Sequence, residues 1–134
     1  MANKVLATLN SGYNVAYRID EREILQTDAS SSKEVASMPS PVDCVSMALS
    51  GCMLASIRDT ANKYKFAIQD VSLEIEAVVV NAPRRIGEFK IDLFFKGSFS
   101  DHEKEALGRA IKSCVVANSL NPEIVKTIVF HYTE

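Results

Sequence analysis

The sequence predicts an α+β domain with helices against a mostly antiparallel sheet, and three observations predict it. Stretches with an apolar side chain at every second position stand near the start, in the middle and at the end of the chain, as half-buried strands require. Between them, the run from Val42 to Lys63 is free of proline and too apolar to be a loop. Finally, 134 residues with 47% hydrophobic and 24% charged side chains suit one globular domain, 1–134. Disordered, collagen-like and low-complexity readings are excluded by the same figures.

The elements follow in order. Val5–Leu9 and Tyr13–Ile19 flank Asn10-Ser11-Gly12, a hairpin signal in which glycine is free to take positive φ. Glu23–Thr27 is a short third strand, and Asp28–Pro41, rich in serine with two prolines, is a loop. Ser40-Pro41 opens a long helix, serine as cap and proline at the first helical position, with Asp43 complementing the helix dipole. Gly51 is its one poor helix former, costing about 1 kcal/mol relative to alanine. Val42, Val45, Leu49 and Cys52 form one apolar stripe and Met47, Leu54, Ile57 and Ala61 another, with Cys44, Ala48 and Ala55 between them. A helix apolar on nearly every face must be covered on nearly every face. A chain this short rarely does that alone, so a second subunit is the expected cover.

Period two returns after Lys65. Val71, Leu73, Ile75, Ala77 and Val79, then Phe89, Ile91, Leu93 and Phe95, line the buried faces of a long antiparallel hairpin turned at Asn81–Arg85. Ser100-Asp101-His102-Glu103 is a capping box. It starts a second helix whose buried stripe is Leu107, Ala110, Ile111 and Cys114, and Ile124–Tyr132 is a closing strand after Asn121-Pro122.

Charge narrows the partners. Fifteen basic against seventeen acidic residues give a net charge of −2, which argues against nucleic acid, whose binding needs clustered Lys and Arg. The start is too mixed for a secretory leader, and the longest apolar stretch, Met47–Ile57, is too short for a bilayer span. An odd cysteine count of three without such a leader points to a reducing compartment. The expected protein is soluble and cytoplasmic, with no membrane partner.

Those cysteines are the residues with chemistry to offer. Cys44 and Cys52 lie eight apart on the long helix, about 80° apart around its axis, and Cys114 sits near the end of the second helix. No Cys-x-x-Cys occurs and both histidines, His102 and His131, are remote in sequence from any cysteine, so neither a metal site nor a cofactor is expected. Free cysteines are most often small buried hydrophobes; a redox pair built from two helices is the alternative. Arg84 and Arg85 read as solvated charges of a turn, and His102 as part of a helix cap.

The segment Ser40-Pro41-Val42-Asp43-Cys44-Val45-Ser46-Met47-Ala48-Leu49-Ser50-Gly51-Cys52-Met53 resembles the helix that carries the first cysteine of the OsmC/Ohr family, the osmotically inducible and organic hydroperoxide resistance proteins. Lys112-Ser113-Cys114-Val115-Val116-Ala117-Asn118-Ser119-Leu120 resembles the second motif of that family, and Pro83-Arg84-Arg85-Ile86 its strand connection. The resemblance spans nearly the whole chain in matching order. It implies an OsmC-like fold, a mostly antiparallel sheet wrapped around a long central helix in an intertwined homodimer, with the site at the subunit interface. It also implies a thiol-dependent peroxidase in oxidative-stress defence. Cys52 attacks an organic hydroperoxide to give a sulfenic acid and an alcohol, Cys114 resolves it as a disulfide, and an external dithiol reduces that disulfide. Apolar walls would suit a hydroperoxide with a hydrophobic tail.

The chain departs from the pattern where the family activates its thiol. An Arg on the first hairpin, oriented by a Glu after the helix-opening Pro, lowers the thiol pKa there. Here the Glu slot holds Val42 with Asp43 one place later, the Arg slot holds Tyr13, and Val115 replaces the Pro of the second motif. Arg18, farther along the hairpin, is the candidate substitute. The departure leaves a second function open, a non-catalytic dimer that binds a small apolar ligand at the subunit interface.

Overall fold

A computed structural model gives the structure of the chain and describes residues 4–29 and 38–133. Most of the expected serine-rich loop, residues 30–37, lies outside the described residues. The chain forms two compact units, Met1–Val45 and Ser46–Glu134. No described helix is long and apolar enough to cross a membrane.

The first unit is an antiparallel meander of β1 (Val5–Leu9), β2 (Asn14–Ile19) and β3 (Arg22–Asp28) in that spatial order. Its first turn is the expected one: Gly12 takes φ +60°, and Asn10 N–H donates to the Asn14 carbonyl at 2.8 Å. The second turn has no glycine. Asp20 and Glu21 supply positive φ, 50° and 69°, at the two central positions between the paired residues Ile19 and Arg22, as a twist-matched two-residue hairpin demands. All five residues of β1 are exposed. The buried polar residue of this unit is Thr27, whose hydroxyl lies 3.0 Å from that of Tyr17.

The long helix α1 (Pro41–Tyr64) begins in the first unit and continues in the second. Its start is a reciprocal cap: Asp43 N–H donates to Ser40 Oγ at 3.1 Å, and Ser40 N–H donates to Asp43 Oδ2 at 2.9 Å. Leu49, Met53, Ile57 and Ala61 are its buried residues. That single four-residue row cuts across the two stripes expected from sequence, and Met47, Ala48, Gly51 and Ala55 are left exposed.

In the second unit β4 (Ser72–Val80) pairs antiparallel with β5 (Arg85–Lys96), and β6 (Val125–Thr133) adds parallel to the far edge of β5. The alternation on β5 holds as read: Phe89, Ile91, Leu93 and Phe95 are all buried. Near the hairpin turn the register shifts between Val78 and Val79. There a Cβ on Gly87 would meet both γ-carbons of Val80 at 2.8 Å, so only glycine fits this close approach.

Helix α2 (Asp101–Ala110) carries the expected capping box, Glu103 N–H to Ser100 Oγ at 3.1 Å and Ser100 N–H to Glu103 Oε1 at 2.9 Å. It stops earlier than its pattern suggested. A 3₁₀ turn occupies Ile111–Ser113, Cys114 takes an extended conformation (φ −67°, ψ 117°), and a short helix α3 covers Val115–Ser119. The reason is local. Ser113 Oγ bonds back to the Ala110 carbonyl at 2.8 Å and Asn118 Nδ2 to the Lys112 carbonyl at 3.1 Å, side-chain bonds that take carbonyls the helical ladder would otherwise use. Cys114 is therefore a helix cap, its sulfur accepting Ala117 N–H at 3.4 Å.

Candidate active site

Two of the three cysteines come together. Cys52 is half-buried on α1, Cys114 is fully buried at the head of α3, and all three cysteines are free thiols. The break after Ala110 makes the meeting productive. By leaving the helical path at Cys114, the chain turns the free N–H groups of α3 toward the Cys52 sulfur. Val116 N–H does most to hold the Cys52 thiol below its ordinary pKa, the Cys114 thiol adds to this, burial opposes it, and Val115 N–H contributes least. Cys114 moves the other way. Burial pushes its thiol up, outweighing the Ala117 N–H that favours its thiolate, and the neighbouring Cys52 pushes it further. One sulfur of the pair is thus biased toward thiolate and the other toward thiol, the asymmetry that a nucleophile and its partner need.

A cavity of about 410 Å³ opens beside Cys52. Its walls are Cys52, Ala55, Ser56, Asp59, Thr60 and Lys63 from α1, joined by Ser113 and Val115. Five of these eight residues, Ser56, Asp59, Thr60, Lys63 and Ser113, carry a hydroxyl or a charge, beside the apolar surface expected from sequence. The signal was present: Ser56, Asp59 and Lys63 follow Cys52 at four, seven and eleven residues, all within one helix face. On α1 these polar positions are masked by the denser apolar ones among which they lie.

The remaining candidates lie in the first unit. Arg18 Nη1 donates to the Glu21 carbonyl at 3.1 Å, within its own hairpin. Tyr13 is 65% exposed. Asp43, next to the Val42 that fills the Glu slot, is engaged in the α1 cap. Cys44 lines a second cavity, about 320 Å³, with Val5, Tyr17, Ile19, Ile24, Leu25 and Pro41. Among the described residues no cluster of three or more His, Cys, Asp or Glu is arranged to hold a metal.

Two sheets with helices, and two neighbouring free thiols of opposed acidity, one of them lining a cavity, define a thiol-pair protein of α+β architecture. The chain belongs to the OsmC-like protein family, whose family model matches residues 33–128. No curated protein matches it. Among solved structures it is similar to a putative osmotic stress induced and detoxification response protein from Psychrobacter arcticus, at 24% identity and TM-score 0.85 over 95% of this chain and 94% of that one. It is also similar to an OsmC-like protein from Mycoplasma pneumoniae, at 18% identity and TM-score 0.88 over 100% and 99% of the two chains. A third is the organic hydroperoxide resistance protein OhrB of Bacillus subtilis, at 13% identity and TM-score 0.70 over 99% and 98%. At these identities the likeness establishes the OsmC fold.

Proposed function

We propose that this chain is a thiol-dependent peroxidase of oxidative-stress defence that reduces organic hydroperoxides as a homodimer. The Cys52 thiolate attacks the terminal peroxide oxygen; the O–O bond breaks, the alkoxide leaves as the alcohol, and Cys52 becomes a sulfenic acid. The Cys114 thiol then attacks that sulfur, water leaves, and a Cys52–Cys114 disulfide remains for an external dithiol to reduce. The observation that carries this reading is the juxtaposition of the two free thiols with opposed acidities. Organic hydroperoxide resistance proteins among its structural relatives support the substrate class. Arg18 is the residue we assign to the role of the family's activating arginine.

A homodimer is supported by apolar surface without cover in the single chain: Val5, Leu6 and Leu9 on β1 are 59%, 60% and 68% exposed, and Met47 on α1 is 49% exposed. A second reading, a non-catalytic dimer holding a small apolar ligand, is favoured by one observation. The donors that lower the Cys52 pKa are N–H and S–H groups, with no cation among them.

The deciding experiment follows cumene hydroperoxide consumption and free thiols together in the reduced protein. The peroxidase reading expects two thiols lost per chain, one sulfenic acid per chain trapped in Cys114→Ser, and no turnover in Cys52→Ser. Slowing by Arg18→Gln would support the assignment of Arg18. Thiols that survive hours of peroxide at neutral pH leave the binding scaffold as the function.

A further inference from the structure

The segment that meets Cys52 is tied together by an exposed side chain on α3. Asn118 makes two hydrogen bonds back across the break that follows α2. Its main-chain N–H donates to the Cys114 carbonyl at 3.0 Å, and its Nδ2 donates to the Lys112 carbonyl at 3.1 Å. The second bond closes a ring around Ser113, Cys114, Val115, Val116 and Ala117. Within that ring Ser113 and Val115 line the cavity beside Cys52, and the Val116 and Val115 N–H groups favour the Cys52 thiolate. Cys114 is the extended residue between the 3₁₀ turn and α3, so its two soft dihedrals set the direction in which α3 leaves. The neighbouring serine bonds stay on one side of this hinge, Ser113 Oγ reaching the Ala110 carbonyl and Ser119 Oγ the Val115 carbonyl. The Asn118 side chain spans it.

We propose that Asn118 is a positioning residue for the reaction of Cys52: by bridging the Cys114 hinge, its side chain holds the Val115 and Val116 N–H groups toward the Cys52 sulfur. Both of its bonds go to backbone carbonyls, so it acts through the backbone it fixes. The inference rests on the reactive-thiol reading above and names a residue outside the cavity that keeps the site in shape. An N–H favours a thiolate only while it keeps its aim, because a hydrogen bond weakens steeply as its angle closes. A free hinge spreads the two donors over many orientations. The thiolate then gains less from them, and the Cys52 pKa climbs back toward its ordinary value. Asn118 is exposed, so its amide can be changed without opening a cavity in the core.

The test follows iodoacetamide alkylation of Cys52 against pH, by peptide mass, in the reduced full chain and its variants. Asn118→Ala should slow Cys52 about three-fold on the acid side of the profile, the worth of one well-aimed hydrogen bond. The alkaline plateau, where the thiol is ionised in either protein, should not change. Asn118→Gln keeps an amide donor and should recover most of the loss. Asn121→Ala is the control, since it removes an exposed asparagine bond of similar length, Glu123 N–H to Asn121 Oδ1 at 2.9 Å, outside the ring. It should leave the profile where it is. A Cys52 profile unmoved by Asn118→Ala overturns the proposal, and so does an equal shift in Asn121→Ala or in Asn118→Gln. Urea unfolding runs beside each profile. An Asn118→Ala protein that no longer folds would make the residue structural and overturn the positioning role as well. Failure of the two readings is told apart by the unsubstituted protein. If its Cys52 already titrates as an ordinary thiol, the reactive-thiol reading fails and takes this inference with it. If its midpoint is low and Asn118→Ala leaves it there, only this inference fails.

Discussion

The two units of this chain solve the burial problem in opposite ways. Every fully buried apolar side chain among the described residues belongs to the second unit, from Leu49 on α1 to Cys114 at the head of α3. The first unit has nearly as clear a strand pattern, yet among its described residues it buries only Thr27, and Val5, Leu6, Leu9, Ile24 and Leu25 remain exposed. A three-stranded meander with no buried apolar face is marginal by itself. Backbone ladders and well-chosen turns hold its shape, while its larger apolar side chains stay at the surface of the single chain. The cysteine pair follows the same division: both Cys52 and Cys114 fall in the unit that has a core, where fixed packing can keep two sulfurs in register.

Truncations measure that contrast most directly and give the largest expected effect. Leu93 and Phe89 are completely buried on β5. Removing either side chain should cost about 3–5 kcal/mol, transfer plus cavity. Leu9→Ala, at a position 68% exposed in the first unit, should change stability by no more than about 0.5 kcal/mol if the single chain is the whole story. Urea unfolding of Leu93→Ala and Leu9→Ala, each at two protein concentrations, checks both. A large, concentration-dependent loss in Leu9→Ala would break the contrast as drawn and locate a second copy over β1.

A backbone test comes next in size. Gly87→Ala forces a methyl against the two γ-carbons of Val80, short and β-branched neighbours with little room to move. Overpacking of this kind costs about 1–3 kcal/mol, read as a fall in the urea midpoint with an unchanged slope.

The caps sharpen the comparison between units, because the same device starts a helix in each. Ser100→Ala removes the acceptor for Glu103 N–H in the second unit and Ser40→Ala the acceptor for Asp43 N–H in the first. Each should cost about 1 kcal/mol where the helix start is part of the cooperative fold. Hydrogen exchange then tells the units apart. If the first unit opens separately, Ser40→Ala should speed exchange in the first turn of α1 while β5 amides keep their protection.

Much of this was legible in the sequence because it was written in short-range patterns. The capping box at Ser100 and Glu103, the Ser40-Pro41 helix start, the glycine turn after β1 and the alternation on β5 each need only a few consecutive residues to be recognised. What escaped depends on backbone choices that side-chain pattern does not encode. The turn at Asp20-Glu21 adopts positive φ without glycine. The parallel docking of β6 on β5 is a matter of topology, and the end of α2 at Ala110 is decided by serine and asparagine back-bonds against an apolar period that runs on to Cys114. That last miss bears on the site, since the break at Cys114 brings the Val116 N–H to Cys52.

The smallest expected effect is also the one closest to the chemistry. Folding holds the Cys52 pKa below its ordinary value and Cys114 above it. The Cys52 contribution to stability is therefore present above the ordinary thiol value and is lost as pH falls through the lower folded one. The Cys114 contribution is present below the ordinary value and is lost as pH rises through the higher folded one. Together they place the stability gained from the pair at its greatest near the ordinary thiol value, between the two folded ones. Reactivity reads the same asymmetry without unfolding anything. In iodoacetamide alkylation followed by peptide mass across pH, Cys52 should reach its half-maximal rate at lower pH than Cys114. In Cys114→Ala the Cys52 midpoint should move up, because one donor to its thiolate is gone while the stronger one, Val116 N–H, remains. A Cys52 midpoint unmoved by Cys114→Ala would mean that the backbone donors of α3 alone set its acidity, and that the two sulfurs are neighbours without being partners.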